Sequence, residues 1–291
     1  MAKEYNQTRK EHYVPVVYLK GFSSDGCSVH YYDFQKDCAT INPVPIRSML
    51  FEKDLYEVRN SKREIINANH IEKILQKFED MFSDYLGRLK NKVFIPDNYL
   101  SNRLLDEDEI GFWITYTIIQ LLRTPRVLST AKDFMKEQLS DAIGETKAEN
   151  LALSYCMPFF SEISEESVTA FNIFVKPLLD MKIEIGVIEG DDVLLTADYP
   201  VYVEAPGWNV REYRKVIFPL TSKICLFFYG AEEKEFHKGN TLVPILPDAY
   251  QDTIEAIAFR CNRLIVSENR ITKKQIKVLK EAKQKWSESI E

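Results

Sequence analysis

The chain has 291 residues, of which 45% are hydrophobic and 28% charged, with a formal net charge of −6. This composition is typical of a globular protein with a substantial core and argues against wholesale disorder. The acidic balance disfavours a protein that binds nucleic acid through its overall charge, although a local basic groove would be compatible with it.

The first part of the chain, about 12–60, has the residue types of β-structure. Tyr13–Phe22 is rich in Val and Tyr and is predicted to be a strand, with Pro15 at a sheet edge or at the strand start. Val29–Phe34 predicts a second strand, and Met49–Val58 a third.

Helical spacing follows over about 68–178. Apolar residues recur every three or four positions from Ile71 to Leu89, which predicts an amphipathic helix. Asp106 with Glu109 has the spacing of a capping box, and the helix that it begins should continue to about Arg123. This helix is apolar nearly all round, so we expect it to be central and buried. Three more helices are predicted at about 127–141, 146–156 and 164–176.

Strand-like patterns return in the last part of the chain, about 181–289. Five strands are expected before two final helices at about 249–260 and 273–288, and Asp248–Gln251 and Thr272–Gln275 have the spacing of helix caps. Together these elements predict an α+β protein, a single domain over 1–291, whose mostly antiparallel sheet is formed by N-terminal and C-terminal strands around a helical middle. The predicted strands are Lys182–Ile188, Val193–Thr196, Val201–Glu204, Lys215–Pro219 and Lys223–Tyr229.

The chain contains five cysteines, an odd number, without a Cys-x-x-Cys pair. Free thiols in a reducing compartment fit this pattern better than disulfides or a zinc site. The polar residues 1–11 lack the apolar run of a signal peptide, and no stretch of about 18 apolar residues suggests a membrane span. We therefore expect a cytoplasmic protein that does not contact membranes.

The opening motif of the chain is His12-Tyr13-Val14-Pro15 followed by Tyr18, Leu19 and Phe22. In this motif the chain resembles a bacterial family of uncharacterised proteins that is classed as a domain of unknown function. The resemblance implies a bacterial, intracellular protein, and proteins of this sort often lie near phage-defence or toxin genes. One turn departs from the usual Thr-Ser-Asp-Asn-Pro by having Ala197 and Tyr199. The matching pieces are His12-Tyr13-Val14-Pro15 with Tyr18, Leu19 and Phe22; the helix with Glu79; Gln120 to Pro125; Thr196 to Val201; Phe218 to Tyr229; and Asn262.

His12 and Asp198 are the candidate catalytic residues. His12 follows Glu11 within the opening motif, and its side chain has a reference pKa suited to a general base. The alternative is a polar strand-start residue that makes local hydrogen bonds. Asp198, at a strand end, is either an acid/base group or metal ligand, or a turn former that caps the backbone.

Gln120, Arg123 and Asn262 are the candidate substrate-binding residues. Arg123 ends an otherwise apolar helix and is expected to bind a phosphate or carboxylate bidentately, unless it only complements the helix dipole. Asn262 would orient the substrate or cap a helix. Glu79 lies near the apolar stripe of its helix, where it would pair with Arg123 or a histidine or remain solvated. Tyr18 belongs to the opening motif.

Two classes of function follow. The first is a hydrolase or nuclease-like effector that acts on a phosphate-bearing substrate such as a nucleotide or nucleic acid, with a divalent metal as an optional cofactor. The second is a non-catalytic ligand-binding or regulatory protein in which the same residues form a buried polar network. The first requires that His12, Arg123 and Asp198 converge on an open cleft. Neither the reaction nor the oligomeric state follows from the sequence.

Overall fold

The computed structural model describes residues 10–66, 68–94, 104–157, 174–205, 213–230 and 237–290. Within these ranges it shows helices together with largely antiparallel sheets, so the predicted α+β class is confirmed. The predicted helix at 164–176 lies mostly outside the described residues, and so do Phe159 and Phe160.

The segment Tyr13–Phe22, which we predicted to be a strand, is helical. Strand β1 is limited to Lys10–His12, and Val16–Leu19 forms a short helix, α1, which continues as one 3-10 turn over Lys20–Phe22. Pro15 is the N-cap of α1, where its fixed φ suits a helix start as well as a sheet edge. Packing of one helical face outweighs the β propensity of Val and Tyr here. The residues buried on that face are Val14, Tyr18, Leu19 and Phe22.

The third predicted strand, Met49–Val58, is broken into two short strands. Leu50 and Asp54 have φ angles of 54° and 52°, which a continuous strand does not allow. Leu55 and Tyr56 are therefore buried in a connecting turn and not in a sheet. The N-terminal strands after β1 are β2 Ser28–Asp33, β3 Cys38–Ala39, β4 Val44–Pro45, β5 Phe51–Lys53, β6 Val58–Arg59 and β7 Ile65–Ile66.

The helices of the middle region agree with their predicted positions. Helix α2 is His70–Val93, and α3 is Glu107–Leu122 with Arg123 as its C-cap. Asp106 and Glu109 form the predicted capping box, and α3 is buried on nearly every side. Helices α4 and α5 follow at Pro125–Ile143 and Glu145–Cys156, and residues 174–179 are also helical.

The C-terminal part contains two strands that the sequence patterns did not reveal, β13 Thr241–Pro244 and β14 Leu264–Ser267. The predicted Asp248–Gln251 cap is wrong because Pro247 begins helix α6 and places Asp248 inside the first turn. The cap of Thr272 with Gln275 is present. The other elements are β8 Lys182–Val187, β9 Thr196–Ala197, β10 Tyr202–Glu204, β11 Lys215–Pro219, β12 Ile224–Tyr229, α6 Pro247–Arg260 and α7 Lys273–Ile290.

The main strands divide between two sheets. The first has the order β10-β11-β12-β8-β13 and is antiparallel except for the β13–β8 pair. The second, β3-β2-β14-β9, joins the N-terminal strand β2 to the C-terminal strands β14 and β9. Strands from both ends of the chain therefore do share a sheet, as predicted, but most C-terminal strands form a sheet of their own.

The largest apolar cluster includes side chains from all three parts of the chain, for example Phe22, Trp113 and Phe218. The single-domain organisation remains a prediction. All five cysteines are free, as expected, and Cys156, Cys225 and Cys261 are buried.

The 3-10 turn Lys20–Phe22 packs closely against the turn that joins β11 to β12. A Cβ atom at Gly21 would lie 2.8 Å from the carbonyl oxygen of Leu220, so this position requires glycine. The carbonyl of Gly21 accepts a hydrogen bond of 2.8 Å from the N–H of Ser222. The contact fixes α1 against the first sheet.

Candidate functional site

Arg123 lies at the centre of a buried polar network and is only 1% exposed. Its Nη1 and Nη2 each donate to Glu79 Oε1 at 3.3 Å, and Nη2 also donates to the carbonyl oxygen of His12 at 2.6 Å. Its Nε donates to the Tyr56 hydroxyl, which in turn donates to the Arg123 carbonyl at 3.0 Å. The guanidinium is thus occupied by groups of the protein itself.

Two further carboxylates lie near this network: Glu72 is close to Arg123, and Glu11 contacts Tyr56. Burial raises the pKa of Glu11 to about 7, and likewise raises the pKa of Glu72 to about 7. Burial also raises the pKa of Glu79, although the charge of Arg123 opposes the rise. Glu11 Oε2 accepts from the Tyr56 N–H at 2.8 Å, while its buried Oε1 has no partner among the described residues. We call Glu11, Tyr56, Glu72, Glu79 and Arg123 the Arg123 cluster.

His12 contributes its backbone to the Arg123 cluster. The imidazole lies edge-on to Phe51, with ring centroids 5.5 Å apart, and its Nε2 is buried without a partner among the described residues. Burial lowers the pKa of His12 from its ordinary value, and nearby Arg123 acts in the same direction. The ring is therefore neutral at neutral pH, and the hydrogen bond to Arg123 comes from the main chain.

Gln120 is fully buried on α3, one turn before Arg123. Neither its side-chain oxygen nor its nitrogen has a hydrogen-bond partner among the residues described. The same holds for the hydroxyl of Tyr116 on this helix, and the pKa of Tyr116 is raised, through burial first and through Glu79 second. Trp113, also on α3, is fully buried.

Asp198 and Asn262 form a second hydrogen-bonded site, at the short connection between α6 and β14. Asp198 is 3% exposed, and its carboxylate accepts from the backbone N–H groups of Asn262, Arg263 and Leu264 at 2.9, 2.7 and 3.2 Å. Burial raises the pKa of Asp198, against the effect of these donors. The contribution of Asn262 is its N–H, and its side chain is exposed. This geometry matches the capping alternative.

Tyr18 lies at a third place. Its buried hydroxyl donates to the carbonyl oxygen of Pro219 at 2.6 Å and lies 2.7 Å from Thr196 Oγ1. Pro219 belongs to the first sheet and Thr196 to the second, so Tyr18 links both sheets to α1. The predicted site residues are thus distributed: His12, Glu79 and Arg123 share one buried network, and Asp198 and Asn262 share another.

The sequence patterns did not single out a pocket with a volume of about 460 Å³. The pocket lies between the first half of α4 and the C-terminal ends of α5 and α6, and α7 contributes Lys283 to its lining. Three cationic residues, Arg126, Arg260 and Lys283, line it together with Tyr199. We call it the Arg260 pocket. Its apolar walls include Val127, Ala131, Phe134, Met135, Cys156 and Phe259.

Neither arginine of the Arg260 pocket is paired with a carboxylate among its described lining residues. None of the described residues that line the pocket carries a carboxylate, and neither Arg126 nor Arg260 makes an ion pair with any described residue. Burial lowers the pKa of Arg260 and of Lys283, and the charge of Arg126 acts in the same direction on both. Lys283 also donates to the carbonyl of Cys261. The pocket is therefore electropositive.

Arg260 is surrounded by tyrosines. Its guanidinium carbon lies 5.9 Å from the ring centroid of Tyr199, and its Nε is buried without a partner among the described residues. Tyr199, where the turn departs from the resembled pattern, accepts a 3.0 Å hydrogen bond from the N–H of Arg126 through its hydroxyl. Burial raises the pKa of Tyr202 and of Tyr213 to about 12. The positive charge of Arg260 opposes this rise in both tyrosines.

Within the described ranges, no three His, Cys, Asp or Glu side chains come together as ligands for a metal ion. Over the same residues, no helix combines the length and the apolar character that crossing a bilayer requires.

The fold and these sites define an α+β protein with a buried arginine–carboxylate network and a separate electropositive pocket. The family model described as "Protein of unknown function (DUF4238)" matches residues 10–271, and the chain belongs to this family. No curated protein and no solved structure matches the chain.

Proposed function

We propose that this protein binds an organic anion, an apolar or aromatic molecule carrying a phosphate or carboxylate group, in the Arg260 pocket. One observation carries the proposal: Arg126 and Arg260, neither paired with a described carboxylate, line a largely apolar pocket of about 460 Å³. Pockets of about 300–1,000 Å³ with a few convergent polar groups are typical of small-molecule sites. Arginine binds phosphates and carboxylates bidentately.

The start of α4 adds to the attraction. Arg126 lies in the first turn of this 19-residue helix, directly after Pro125. The aligned peptide dipoles of a helix favour an anion near its N-terminus. An anion between Arg126 and Arg260 would also relieve the repulsion between the two guanidinium groups.

The hydrolase hypothesis has weaker support. Arg123 is hydrogen-bonded to Glu79 and His12, and Asp198 to three backbone N–H groups, so both are already engaged within the protein. A ligand-binding or regulatory role, the second class that the sequence left open, accommodates both networks as structural parts. The cytoplasmic location stays within the proposal and is supported by the free thiols. A link to phage defence rests on the resemblance alone.

Calorimetric titration with phenyl phosphate, a small aromatic phosphate, tests the proposal. Arg260→Gln and Arg126→Gln should each weaken binding by roughly tenfold or more, since a hydrogen bond to a charged group contributes about 1.5–3 kcal/mol. Arg270→Gln, a change at an exposed arginine outside the pocket, should leave binding unchanged. Equal affinity of all four proteins, or binding by none of them, would refute the proposal.

A further inference from the structure

A second, smaller pocket borders the Arg260 pocket. This pocket has a volume of about 280 Å³ and shares Leu122, Val127, Phe174, Phe259 and Arg260 with the first. We call it the tyrosine pocket, because Tyr202 and Tyr213 line it. A ligand that spans both pockets passes directly beside Arg260.

The two pockets differ in charge. Arg126 and Lys283 line the Arg260 pocket but not the tyrosine pocket, which instead has Glu204 among its lining residues. An anionic group is therefore favoured in the first pocket and disfavoured in the second. Arg126, Arg260 and a helix N-terminus suit a phosphate monoester better than a carboxylate, because the phosphate carries about −1.5 to −2 charges at neutral pH.

The tyrosine pocket is suited to a flat ring. Tyr202 and Phe259 form an edge-to-face pair with ring centroids 5.9 Å apart, and Tyr213 adds a third aromatic side chain. Aromatic rings pack favourably against such surfaces in stacked or edge-on arrangements.

The hydroxyl of Tyr213 favours a ring that carries polar atoms. Tyr213 is 5% exposed, and its hydroxyl is buried without a hydrogen-bond partner among the described residues. A buried hydroxyl of tyrosine usually has a partner. An alkyl chain in the tyrosine pocket would leave it unsatisfied, whereas a heteroaromatic ring offers nitrogen or oxygen atoms at its edge.

We infer that the ligand is a phosphate monoester of a heteroaromatic compound, of the nucleoside monophosphate class, with its phosphate between Arg126 and Arg260 and its ring in the tyrosine pocket. This inference rests on the proposed function, since it specifies the ligand of the same site. It adds a role for Tyr213, which would hydrogen-bond the ring and thereby select it.

Titration of the full chain with the four common nucleoside 5′-monophosphates, phenyl phosphate and decyl phosphate tests the inference. At least one nucleotide should bind roughly tenfold more tightly than either simple phosphate. Tyr213→Phe should weaken binding of that nucleotide by about threefold to tenfold, the effect of one neutral hydrogen bond. The same variant should bind phenyl phosphate as the unmodified protein does, which also shows that it is folded.

The outcomes separate the two levels of the proposal. If phenyl or decyl phosphate binds as tightly as every nucleotide, or if Tyr213→Phe has no effect on nucleotide affinity, the ligand class is wrong while anion binding at Arg260 stands. If Arg126→Gln leaves all affinities unchanged, or if none of the six compounds binds, both the ligand class and the proposed function are wrong.

Discussion

Arg123 and Arg126 lie three residues apart and have opposite surroundings. Arg123 is buried against Glu79, Tyr56 and the carbonyl of His12. Arg126 is exposed beside Arg260 and makes no ion pair with a described residue. At the residue scale, the partners of a guanidinium group therefore decide whether it stabilises the fold or is available to a ligand.

Replacing Arg123 by Gln should destabilise the protein strongly. The variant leaves Glu79 and the His12 carbonyl without their buried partner, and removing one member of a buried ion pair costs about 3–5 kcal/mol. Urea unfolding of Arg123→Gln and of the control Arg270→Gln would measure the difference in the free energy of unfolding. A loss below about 0.5 kcal/mol for Arg123→Gln would contradict the structural role.

The carboxylates of the Arg123 cluster predict a dependence of stability on pH. Glu11 has an ordinary pKa of 4.5 and a pKa of about 7 in the folded protein. The folded state therefore holds more protons than the unfolded state between these values, and the free energy of unfolding falls as the pH rises through this window. The contribution of Glu72 has the same sign, since its pKa is also raised to about 7.

Glu11→Gln should remove the share of this dependence that Glu11 carries. Because glutamine stays neutral, the variant should be more stable than the unmodified protein by about 2 kcal/mol near pH 8, and the gain should largely vanish near pH 4, below the ordinary pKa of 4.5. Chemical denaturation at both pH values measures this, with the exposed Glu137→Gln as the control. A variant that is less stable at the higher pH would refute the assignment.

Some residue-scale features were predictable from local spacing. The Asp106–Glu109 capping box is set within one helical turn. The pairing of Glu79 with Arg123 was one of the alternatives that the sequence left open, beside a histidine partner and a solvated side chain. The orientation of His12 was not predictable, because its carbonyl rather than its imidazole contacts Arg123. No sequence pattern distinguishes these two atoms.

At the element scale, long amphipathic helices were easier to predict than short strands. Helix α2 repeats its apolar spacing over 24 residues, so its packing and its sequence agree. Strand β13 has four residues and pairs in parallel with β8, a contact that depends on a distant partner. The helical turn α1 was missed because Val and Tyr favour strands locally while its burial favours a helix.

The junction of α6 with β14 depends on a single carboxylate. Asp198 accepts hydrogen bonds from three consecutive backbone N–H groups, so Asp198→Ala should cost about 3 kcal/mol in the free energy of unfolding. Asp198→Asn should cost less, because one acceptor oxygen remains. Chemical denaturation distinguishes them, with Asp191→Ala, at an exposed position, as the control. A larger loss for Asn than for Ala would contradict the capping role.

At the scale of the whole molecule, the Arg260 pocket joins residues that lie far apart in the sequence. Arg126 lies in the first turn of α4, Tyr199 follows β9, and Arg260 ends α6. In the sequence, Arg126 and Arg260 look like ordinary cations at helix ends, and Tyr199 looks like an ordinary turn residue. The sequence therefore does not reveal that the three side chains line one pocket. The departure at Tyr199 was visible, but its meaning depends on the hydrogen bond from Arg126.

A crystal structure of the protein soaked with phenyl phosphate tests the central claim most directly, because it shows where an organic anion binds. We predict that the phosphate lies within hydrogen-bond distance, about 2.7–3.2 Å, of the guanidinium groups of Arg126 and Arg260. The Arg123 cluster should remain closed, with Glu79 still bound to Arg123. A phosphate bound to Arg123 in place of Glu79, with the Arg260 pocket empty, would contradict the account.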